Sequence, residues 1–376
     1  MTTSPNTLDI ALGSRSYAIH FVAEPPAPTL AQLLPSCCPT ADRALIVTDT
    51  NVGPLYGADV VDAVRAAGIT PTLATIEAGE ASKSLTTVST LLDTALSAAL
   101  KRGDVIIALG GGVVGDLAGF TASVLHRGVD FIQVPTSLLA QVDSSVGGKT
   151  GVNHATGKNL IGTFWQPRAV VTSLAVLRTL PPREVRCGLS EALKHGFIAD
   201  ASLVDFAVQN ATQLRALEPA QTAELVRRCC AIKAEVVEAD ERDHGRRAVL
   251  NFGHTLGHAY ERLLGYGALT HGEAVALGSV WAARLSEAIG VAKAGLCSTV
   301  VTGLEALGLP HDIDDETLPS LSRLIEAAQS DKKAVGDGVR FVLLEANGRA
   351  TLRRLSWVEI QAALSTTDGR DGQGAR

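Results

Sequence analysis

Residues 104–116 read Asp104-Val105-Ile106-Ile107-Ala108-Leu109-Gly110-Gly111-Gly112-Val113-Val114-Gly115-Asp116. The apolar run before the glycines has the length and composition of a buried strand, and a helical pattern begins at Leu117. Glycines at such a turn let backbone N–H groups approach a pyrophosphate at the positive end of a helix. The stretch therefore predicts a strand, a turn and a helix that bind a dinucleotide, although a tight turn without a nucleotide fits the same residues.

On both sides of this turn, apolar runs alternate with helical patterns. Strand-like runs occupy residues 44–48, 72–76, 105–109 and 129–135, and helix-like runs occupy 58–67 and 85–100. This order predicts a mostly parallel sheet with helices outside, so we expect residues 1–180 to form a Rossmann-like α/β domain. An acid for the ribose of a dinucleotide usually ends the next strand, but Asp130 would begin one, so Asp49 at an upstream strand end is favoured.

Beyond about residue 180 the pattern becomes mainly helical. Helical periodicity extends over residues 203–217, 220–240, 255–264 and 272–288. The pair Pro181-Pro182 marks a boundary, because proline stops one element and restricts the residue before it. We therefore expect a helical domain over residues 181–376, with a polar, glycine-rich tail that frays over 366–376.

Composition limits the classes of function. Of the 376 residues, 46% are hydrophobic and 19% are charged, which is typical of a globular protein. No apolar run reaches the ~20 residues of a membrane helix, and the N-terminus lacks a basic region leading into an apolar run, so we expect no secretory signal. The six cysteines lack C-x-x-C spacing, so we expect reduced thiols and a cytoplasmic location. A net charge of −6 argues against a nucleic-acid partner.

A second cluster has the residue types of a metal site. His254 and His258 are four apart, so on a helix they share one face, and His271 and Glu191 could complete a set of ligands. Three nitrogen and oxygen ligands with an open position suit a catalytic divalent cation such as Zn²⁺. Which histidine of the pair binds metal stays open, as does a structural role for both. Glu191, inside an apolar run, needs a positive partner if buried.

Several cations lie beside small polar residues, an arrangement that suits anionic oxygens. Lys149 and Lys158 follow glycines, whereas Lys194 and Lys233 lie on helical patterns where a surface role is the default. The others are Arg247 and the pair Lys332-Lys333.

Taken together, residues 49–333 resemble the 3-dehydroquinate synthase family, most specifically over 110–127, 133–162 and 250–273. The resemblance implies that the α/β domain of residues 1–180 binds NAD and that the helical domain of residues 181–376 binds metal and substrate. It also implies a homodimer. It implies that the metal, zinc or cobalt, is held by Glu191, His254 and His271. Residues at positions that hold NAD are Asp49, Asn51, Glu80, Lys83, Gly111, Gly112, Asp116, Thr136, Ser137, Lys149, Lys158, Asn159, Thr179, Leu180 and Glu184.

The resemblance also implies a substrate pocket. Its residues would be Asp143, Lys149, Asn159, Lys194, Lys233, Arg247, Asn251, His258 and one or both of Lys332 and Lys333, with Arg127 donated across the dimer. Enzymes of this family convert 3-deoxy-D-arabino-heptulosonate 7-phosphate, a phosphorylated sugar acid, into 3-dehydroquinate and phosphate in the shikimate pathway. Alternatives are a sugar-phosphate cyclase of secondary metabolism, such as an amino-dehydroquinate or valiolone synthase, a polyol dehydrogenase, or a binding protein without activity.

Overall fold

The computed structural model describes residues 6–265, 267–331 and 338–365. The predicted substrate residues Lys332 and Lys333 and the tail at 366–376 lie outside the described residues. The chain divides into two compact units, Met1–Leu180 with Thr222–Arg242 and Pro181–Gln221 with Asp243–Arg376.

The strands of the described chain are numbered in order as follows: β1 (Thr7–Ile10), β2 (Tyr17–Val22), β3 (Arg43–Asp49), β4 (Thr70–Ile76), β5 (Val105–Gly110), β6 (Asp130–Pro135), β7 (Lys149–His154), β8 (Gly157–Phe164), β9 (Ala169–Ser173), β10 (Gly338–Ala346) and β11 (Arg349–Ser356). The helices are α1 (Pro26–Cys37), α2 (Gly53–Ala66), α3 (Leu85–Ser97), α4 (Gly112–Val124), α5 (Pro182–Ala199), α6 (Ala201–Gln209), α7 (Ala211–Arg215), α8 (Pro219–Ala239), α9 (His254–Leu264), α10 (His271–Ala288), α11 (Leu296–Ala306), α12 (Leu321–Asp331) and α13 (Trp357–Ser365).

The first unit is built on a seven-stranded sheet with the order β1-β2-β9-β6-β5-β3-β4. All neighbouring strands are parallel except β1 and β2, which pair antiparallel. The chain runs from β3 outward to β4 and then returns to the other side of β3 as β5, so the strand order reverses between β3 and β5. Ligands of open α/β sheets bind at the carboxyl ends of strands at such a reversal.

Successive side chains of a central strand pack on opposite faces of this sheet. On β3, Leu45 and Val47 pack with α3 and α4, whereas Ala44 and Ile46 pack with α1 and α2. Side chains alternate between faces along a strand, so an uninterrupted apolar run fills a core on each side. The expected α/β fold of the first half is confirmed. A hairpin of β7 and β8, which the periodicity did not predict, follows β6.

Helix α8 is formed as predicted, but most of it belongs to the first unit, whereas the sequence-based division placed it in the second domain. Its buried Cys230 contacts the Gln141 carbonyl oxygen at 3.2 Å. Its Lys233 also pairs with Asp143 of the first unit. Helical periodicity shows which face is apolar, but it does not show which core that face joins.

The second unit is mainly helical, as predicted, and is completed by an antiparallel hairpin of β10 and β11. The single helix predicted over 203–217 is replaced by two helices, α6 and α7, with a break at Asn210. The Asn210 side chain donates to the Phe206 carbonyl at 2.9 Å. Buried Trp281 of α10 donates to the Tyr260 hydroxyl of α9 at 3.0 Å. None of the described helices is long and apolar enough to span a membrane.

Candidate functional site

The glycine turn lies where β5 passes into α4. Gly110 ends the strand, Gly111 precedes the helix, and Gly112 begins it. The Gly110 carbonyl accepts a hydrogen bond from the backbone of Thr136 at 3.0 Å, which ties the turn to the end of the adjacent parallel strand β6. The first N–H groups of α4 therefore lie at the carboxyl edge of the sheet beside the strand reversal, an arrangement that suits a pyrophosphate.

Asp49 ends β3 at the same edge of the sheet. Its Oδ1 accepts the backbone N–H groups of Asn51 and Val52, each at 2.9 Å, and this holds the carboxylate at the entry to α2. Asp130, in contrast, begins β6 and pairs with Arg168 at 2.8 Å. Because parallel strands share one direction, Asp130 lies at the opposite edge of the sheet from the glycine turn.

Lys83 joins two other predicted nucleotide-site residues. Its Nζ lies 2.5 Å from Asp116 Oδ2 and 2.5 Å from Asn159 Oδ1. Burial raises the pKa of Asp116, and the neighbouring Lys83 charge opposes that shift. Nearby, Asn153 donates to Glu80 at 2.7 Å. The structure thus brings Glu80, Lys83, Asp116 and Asn159 into one polar network.

The remaining predicted residues of the first unit are dispersed among several elements. Ser137 accepts the Ala140 N–H at 3.2 Å, and Thr179 shares a 2.7 Å hydrogen bond with Tyr56. Lys149 is exposed at the start of β7, Lys158 lies on β8, and Leu180 follows the 3-10 turn that contains Thr179. Arg127 is exposed in the loop before β6.

Lys233 of α8 is buried against Asp143. Its ammonium group contacts the Asp143 carboxylate and lies 2.5 Å from the Asp143 carbonyl oxygen. Only 8% of the Lys233 side chain is exposed, so this pair places a charged group in a desolvated position. A surface role for Lys233, the default for a lysine on a helix, is therefore wrong.

Three predicted metal ligands form a cluster in the second unit. Single donor atoms of Glu191, His254 and His271 lie within 4.8 Å of one another. The Nε2 atoms of His254 and His271 lie 3.8 and 3.5 Å from the same oxygen, Oε1 of Glu191. One carboxylate oxygen and two imidazole nitrogens form a donor set that fits a divalent cation such as zinc.

Burial and neighbouring charges act differently on the three donors. Glu191 is only 1% exposed, and its carboxylate contacts Lys194 one turn along α5, which is the positive partner that a buried acid requires. Burial, assisted by the Lys194 charge, holds the pKa of His254 well below its usual value. Burial also lowers the pKa of His271, but Glu261 and Glu191 outweigh it and leave that pKa raised.

Helix starts position both imidazoles. His254 begins α9 directly after Gly253, and His271 begins α10 directly after Thr270. Thr270 and Glu273 form a capping box: the Thr270 hydroxyl accepts the Glu273 N–H, and the Glu273 carboxylate accepts the Thr270 N–H. Arg183 of α5 donates to Glu273 at 2.7 Å. This network fixes the first turn of α10 and hence the direction of His271.

The other predicted residues of this unit lie in different settings. Lys194 and Arg247 are each only 2% exposed, so neither has the solvated surface position that is usual for these residue types. His258 and Asn251 are exposed, and the His258 ring centroid lies 5.5 Å from that of His254, as the four-residue spacing predicted. Glu184 lies in the first turn of α5.

Sequence reasoning missed two residues beside the metal ligands. Glu261, 5% exposed, faces His271, and its spacing of three from His258 could have signalled a shared helix face. Cys187 accepts the Gly272 N–H at 3.2 Å and lies one turn before Glu191 on α5. No local pattern marks this second contact, because it joins residues that are far apart in the chain.

Residues 73–187 match the N-terminal family model of 3-dehydroquinate synthase, and residues 188–334 match the C-terminal one. The chain belongs to the 3-dehydroquinate synthase family. It is 44% identical, over 96% of its length and 99% of the relative, to the 3-dehydroquinate synthase of Desulforamulus reducens. The prediction of an enzyme of the 3-dehydroquinate synthase family, made from motifs in three blocks, is confirmed.

Two synthases with solved structures are similar in structure to this member of the 3-dehydroquinate synthase family. A 2-deoxy-scyllo-inosose synthase complexed with carbaglucose-6-phosphate, NAD⁺ and Co²⁺ has a TM-score of 0.84 and 25% identity, covering 96% of this chain and 99% of that one. The 2-epi-5-epi-valiolone synthase of Streptomyces hygroscopicus subsp. jinggangensis, with NAD⁺ and Zn²⁺ bound, has a TM-score of 0.82 and 26% identity, covering 95% and 98%. The predicted fold class is confirmed.

Proposed function

We propose that this chain converts 3-deoxy-D-arabino-heptulosonate 7-phosphate into 3-dehydroquinate and phosphate, the activity of a 3-dehydroquinate synthase in the shikimate pathway. The observation that carries the proposal is the 44% identity over nearly the full length of a 3-dehydroquinate synthase. Identity to the inosose and valiolone synthases is only 25% and 26%, which makes these activities the alternatives.

The enzyme is proposed to use NAD and one divalent cation, zinc or cobalt. The cation would be held by Glu191, His254 and His271, whose donor atoms fit it and whose chemistry accepts either metal. NAD would lie at the carboxyl edge of the sheet, with its pyrophosphate at Gly111 and Gly112. When bound, NAD accepts and returns a hydride, and the cation polarises a substrate oxygen.

The remaining groups of the proposed NAD site would contact other parts of the nucleotide. Asp49 would bind the ribose, because its carboxylate lies at the end of β3 beside the strand reversal. The other assigned residues are Asn51, Glu80, Lys83, Asp116, Thr136, Ser137, Lys149, Lys158, Asn159, Thr179, Leu180 and Glu184.

The charged side chains are proposed to bind an anionic substrate. Arg247 would bind the carboxylate through two parallel N–H donors, and its burial favours a strong contact. The pair of Lys233 and Asp143 would bind hydroxyls, and Lys233 could also contact the carboxylate. Phosphate would be held by Lys149, Asn159, Asn251, His258 and one or both of Lys332 and Lys333, while Lys194 balances Glu191.

Phosphate elimination removes a proton beside a new ketone, and the leaving phosphate is itself a base that can accept that proton. The protein residues would then mainly orient the substrate and stabilise developing charge. Such a mechanism does not require a dedicated catalytic base. The carboxylate and the phosphate of the substrate explain why an acidic protein carries so many lysine, arginine and asparagine candidates.

A homodimer in the cytoplasm is part of the proposal. Arg127 is exposed, and it and His126 adopt left-handed φ angles of 66° and 51°. His126 holds this loop through a 2.8 Å contact with the Leu100 carbonyl oxygen. A strained, anchored loop that presents an arginine supports its donation to a partner subunit. The six cysteines are free thiols, which supports a reducing compartment.

The deciding experiment offers the purified enzyme three sugar phosphates in separate assays. We expect phosphate release and 3-dehydroquinate from the heptulosonate 7-phosphate, no turnover of sedoheptulose 7-phosphate or glucose 6-phosphate, and no net NADH. Turnover of sedoheptulose 7-phosphate would instead identify a valiolone-type cyclase. Steady accumulation of NADH would identify a dehydrogenase.

A further inference from the structure

The two histidine ligands have a common arrangement. Each directs Nε2 towards Glu191, at 3.8 Å from His254 and 3.5 Å from His271. The second ring nitrogen of His254, Nδ1, lies 3.0 Å from the Phe252 carbonyl oxygen. A carbonyl oxygen can only accept a hydrogen bond, so Nδ1 of His254 carries the proton and Nε2 keeps its lone pair for metal.

At His271, a carboxylate takes the place that the Phe252 carbonyl has at His254, beside the second ring nitrogen. Its Nδ1 lies 3.5 Å from Oε1 of Glu261, which comes from the neighbouring helix α9 and is itself 5% exposed. The His271 side chain is 34% exposed, compared with 13% for His254, so its ring is less confined by packing. A less confined ligand has more need of a partner that sets its tautomer and orientation.

We propose that Glu261 is a positioning residue for the metal site. Its carboxylate accepts the Nδ1–H of His271, which leaves the Nε2 lone pair directed towards Glu191 and the metal position. Histidine ligands generally donate their second N–H to a carboxylate or carbonyl, and loss of that partner costs metal affinity. The inference rests on the metal dependence in the proposed function.

A competing role for Glu261 is visible in the same cluster. Donor atoms of His258, Glu261 and His271 also lie within 4.8 Å of one another. Glu261 could therefore orient His258, a proposed substrate residue, instead of His271. The role at His271 rests on the 3.5 Å distance between Glu261 Oε1 and His271 Nδ1, which places the carboxylate against that ring nitrogen. Loss of a partner of His271 would weaken metal binding, whereas loss of a partner of His258 would weaken substrate binding. Measurement of both affinities can therefore separate the two roles.

The test compares Glu261→Gln and Glu261→Ala with the wild type in the full chain after metal removal. Titration with Zn²⁺ against a competing chelator should show affinity lower by about 10-fold for Gln and about 100-fold for Ala, since the Gln amide oxygen still accepts a hydrogen bond. Glu287→Gln is the control, because it also removes a carboxylate from the second unit. The Glu287 carboxylate accepts the Cys297 N–H, and its loss should leave Zn²⁺ affinity unchanged.

Nitrogen-15 NMR of the histidine rings supplies a readout that is independent of activity. We expect His271 of the metal-free wild type to be mostly the Nδ1–H tautomer and to become mixed in Glu261→Gln. At saturating zinc, the kcat/KM of Glu261→Gln should recover towards the wild-type value. Unchanged Zn²⁺ affinity, with a persistently raised KM and an altered His258 tautomer, would overturn the proposal.

Two controls keep the interpretation clear. Circular dichroism and thermal denaturation identify a variant that fails to fold, in which case the isosteric Glu261→Gln decides the question. A wild type that binds Zn²⁺ but forms a product other than 3-dehydroquinate would refute the proposed reaction alone. Normal Zn²⁺ affinity in both Glu261 variants would refute the positioning role alone.

Discussion

The Gly272 N–H donates to the sulfur of Cys187 at 3.2 Å, and a Cβ added to Gly272 would lie 2.3 Å from the Cys187 carbonyl oxygen. The start of α10 thus packs directly against the backbone of α5. Glu191 lies one turn beyond Cys187, and His271 immediately precedes Gly272. This contact therefore determines whether the carboxylate and the imidazole meet.

Gly272→Ala is expected to separate α10 from α5, because the obstructing atoms belong to the backbone and cannot rotate away. We expect a loss of about 1 to 3 kcal/mol in the free energy of unfolding, with weaker Zn²⁺ binding. Chemical denaturation and zinc titration measure the two effects. Gly245→Ala is the control, because a Cβ there meets no atom within 4 Å. Equal losses in both variants would disprove the role of the close contact.

His271→Ala is expected to lose bound metal and activity together. Removal of a ligand should reduce Zn²⁺ affinity by more than the roughly 10 to 100-fold that loss of an outer partner costs. Elemental analysis and phosphate release measure the two quantities. His311→Ala serves as the control, because His311 contacts the Leu309 carbonyl at 3.1 Å and belongs to neither candidate metal cluster. Stoichiometric metal in the His271 variant would refute the ligand set.

Arg247→Lys is expected to raise KM by about 10-fold or more, since an ammonium group cannot make two parallel hydrogen bonds to one carboxylate. Initial-rate kinetics measure KM and kcat separately. Arg246→Lys changes the exposed neighbouring arginine in the same way and should leave KM near that of the wild type. Near-normal kinetics for the Arg247 variant would contradict its assignment to the substrate carboxylate.

Glu273 should make the stability of the second unit depend on pH. Burial alone would raise the pKa of Glu273, but the Arg183 bond and the capping interactions lower it below the ordinary value of 4.5. A lowered pKa means that the ionised group stabilises the folded state above pH 4.5 and loses this effect as pH falls through the lowered pKa.

Glu273→Gln is accordingly expected to reduce the free energy of unfolding by about 1 kcal/mol at pH 7, with a difference that shrinks in acid. Denaturation at a series of pH values tests this, and Glu305→Gln, which removes an exposed carboxylate from α11, is the control. If the difference in the free energy of unfolding between the wild type and Glu273→Gln grew as the pH fell, the pKa of Glu273 would not be lowered by folding.

Local sequence patterns determined much of this protein. The run from Asp104 to Gly112 predicted the strand and the turn before a helix, because strand and helix periods are properties of a short backbone segment. The helix itself, α4, begins at Gly112, earlier than the predicted Leu117. The spacing of His254 and His258 likewise predicted neighbouring rings. Family motifs then indicated the ligands, the reaction class and the cofactors, although the roles of individual site residues stay predictions.

Only the tertiary structure decided which distant segments meet. Glu191 reaches His254 and His271 because α5, α9 and α10 pack together, and this packing depends on close backbone contacts such as that of Gly272 with Cys187. Helix α8 joined the first unit, and Glu261 came to face His271, for the same reason. Periodicity defines an apolar face, but the choice of partner for that face depends on the packing of the whole chain.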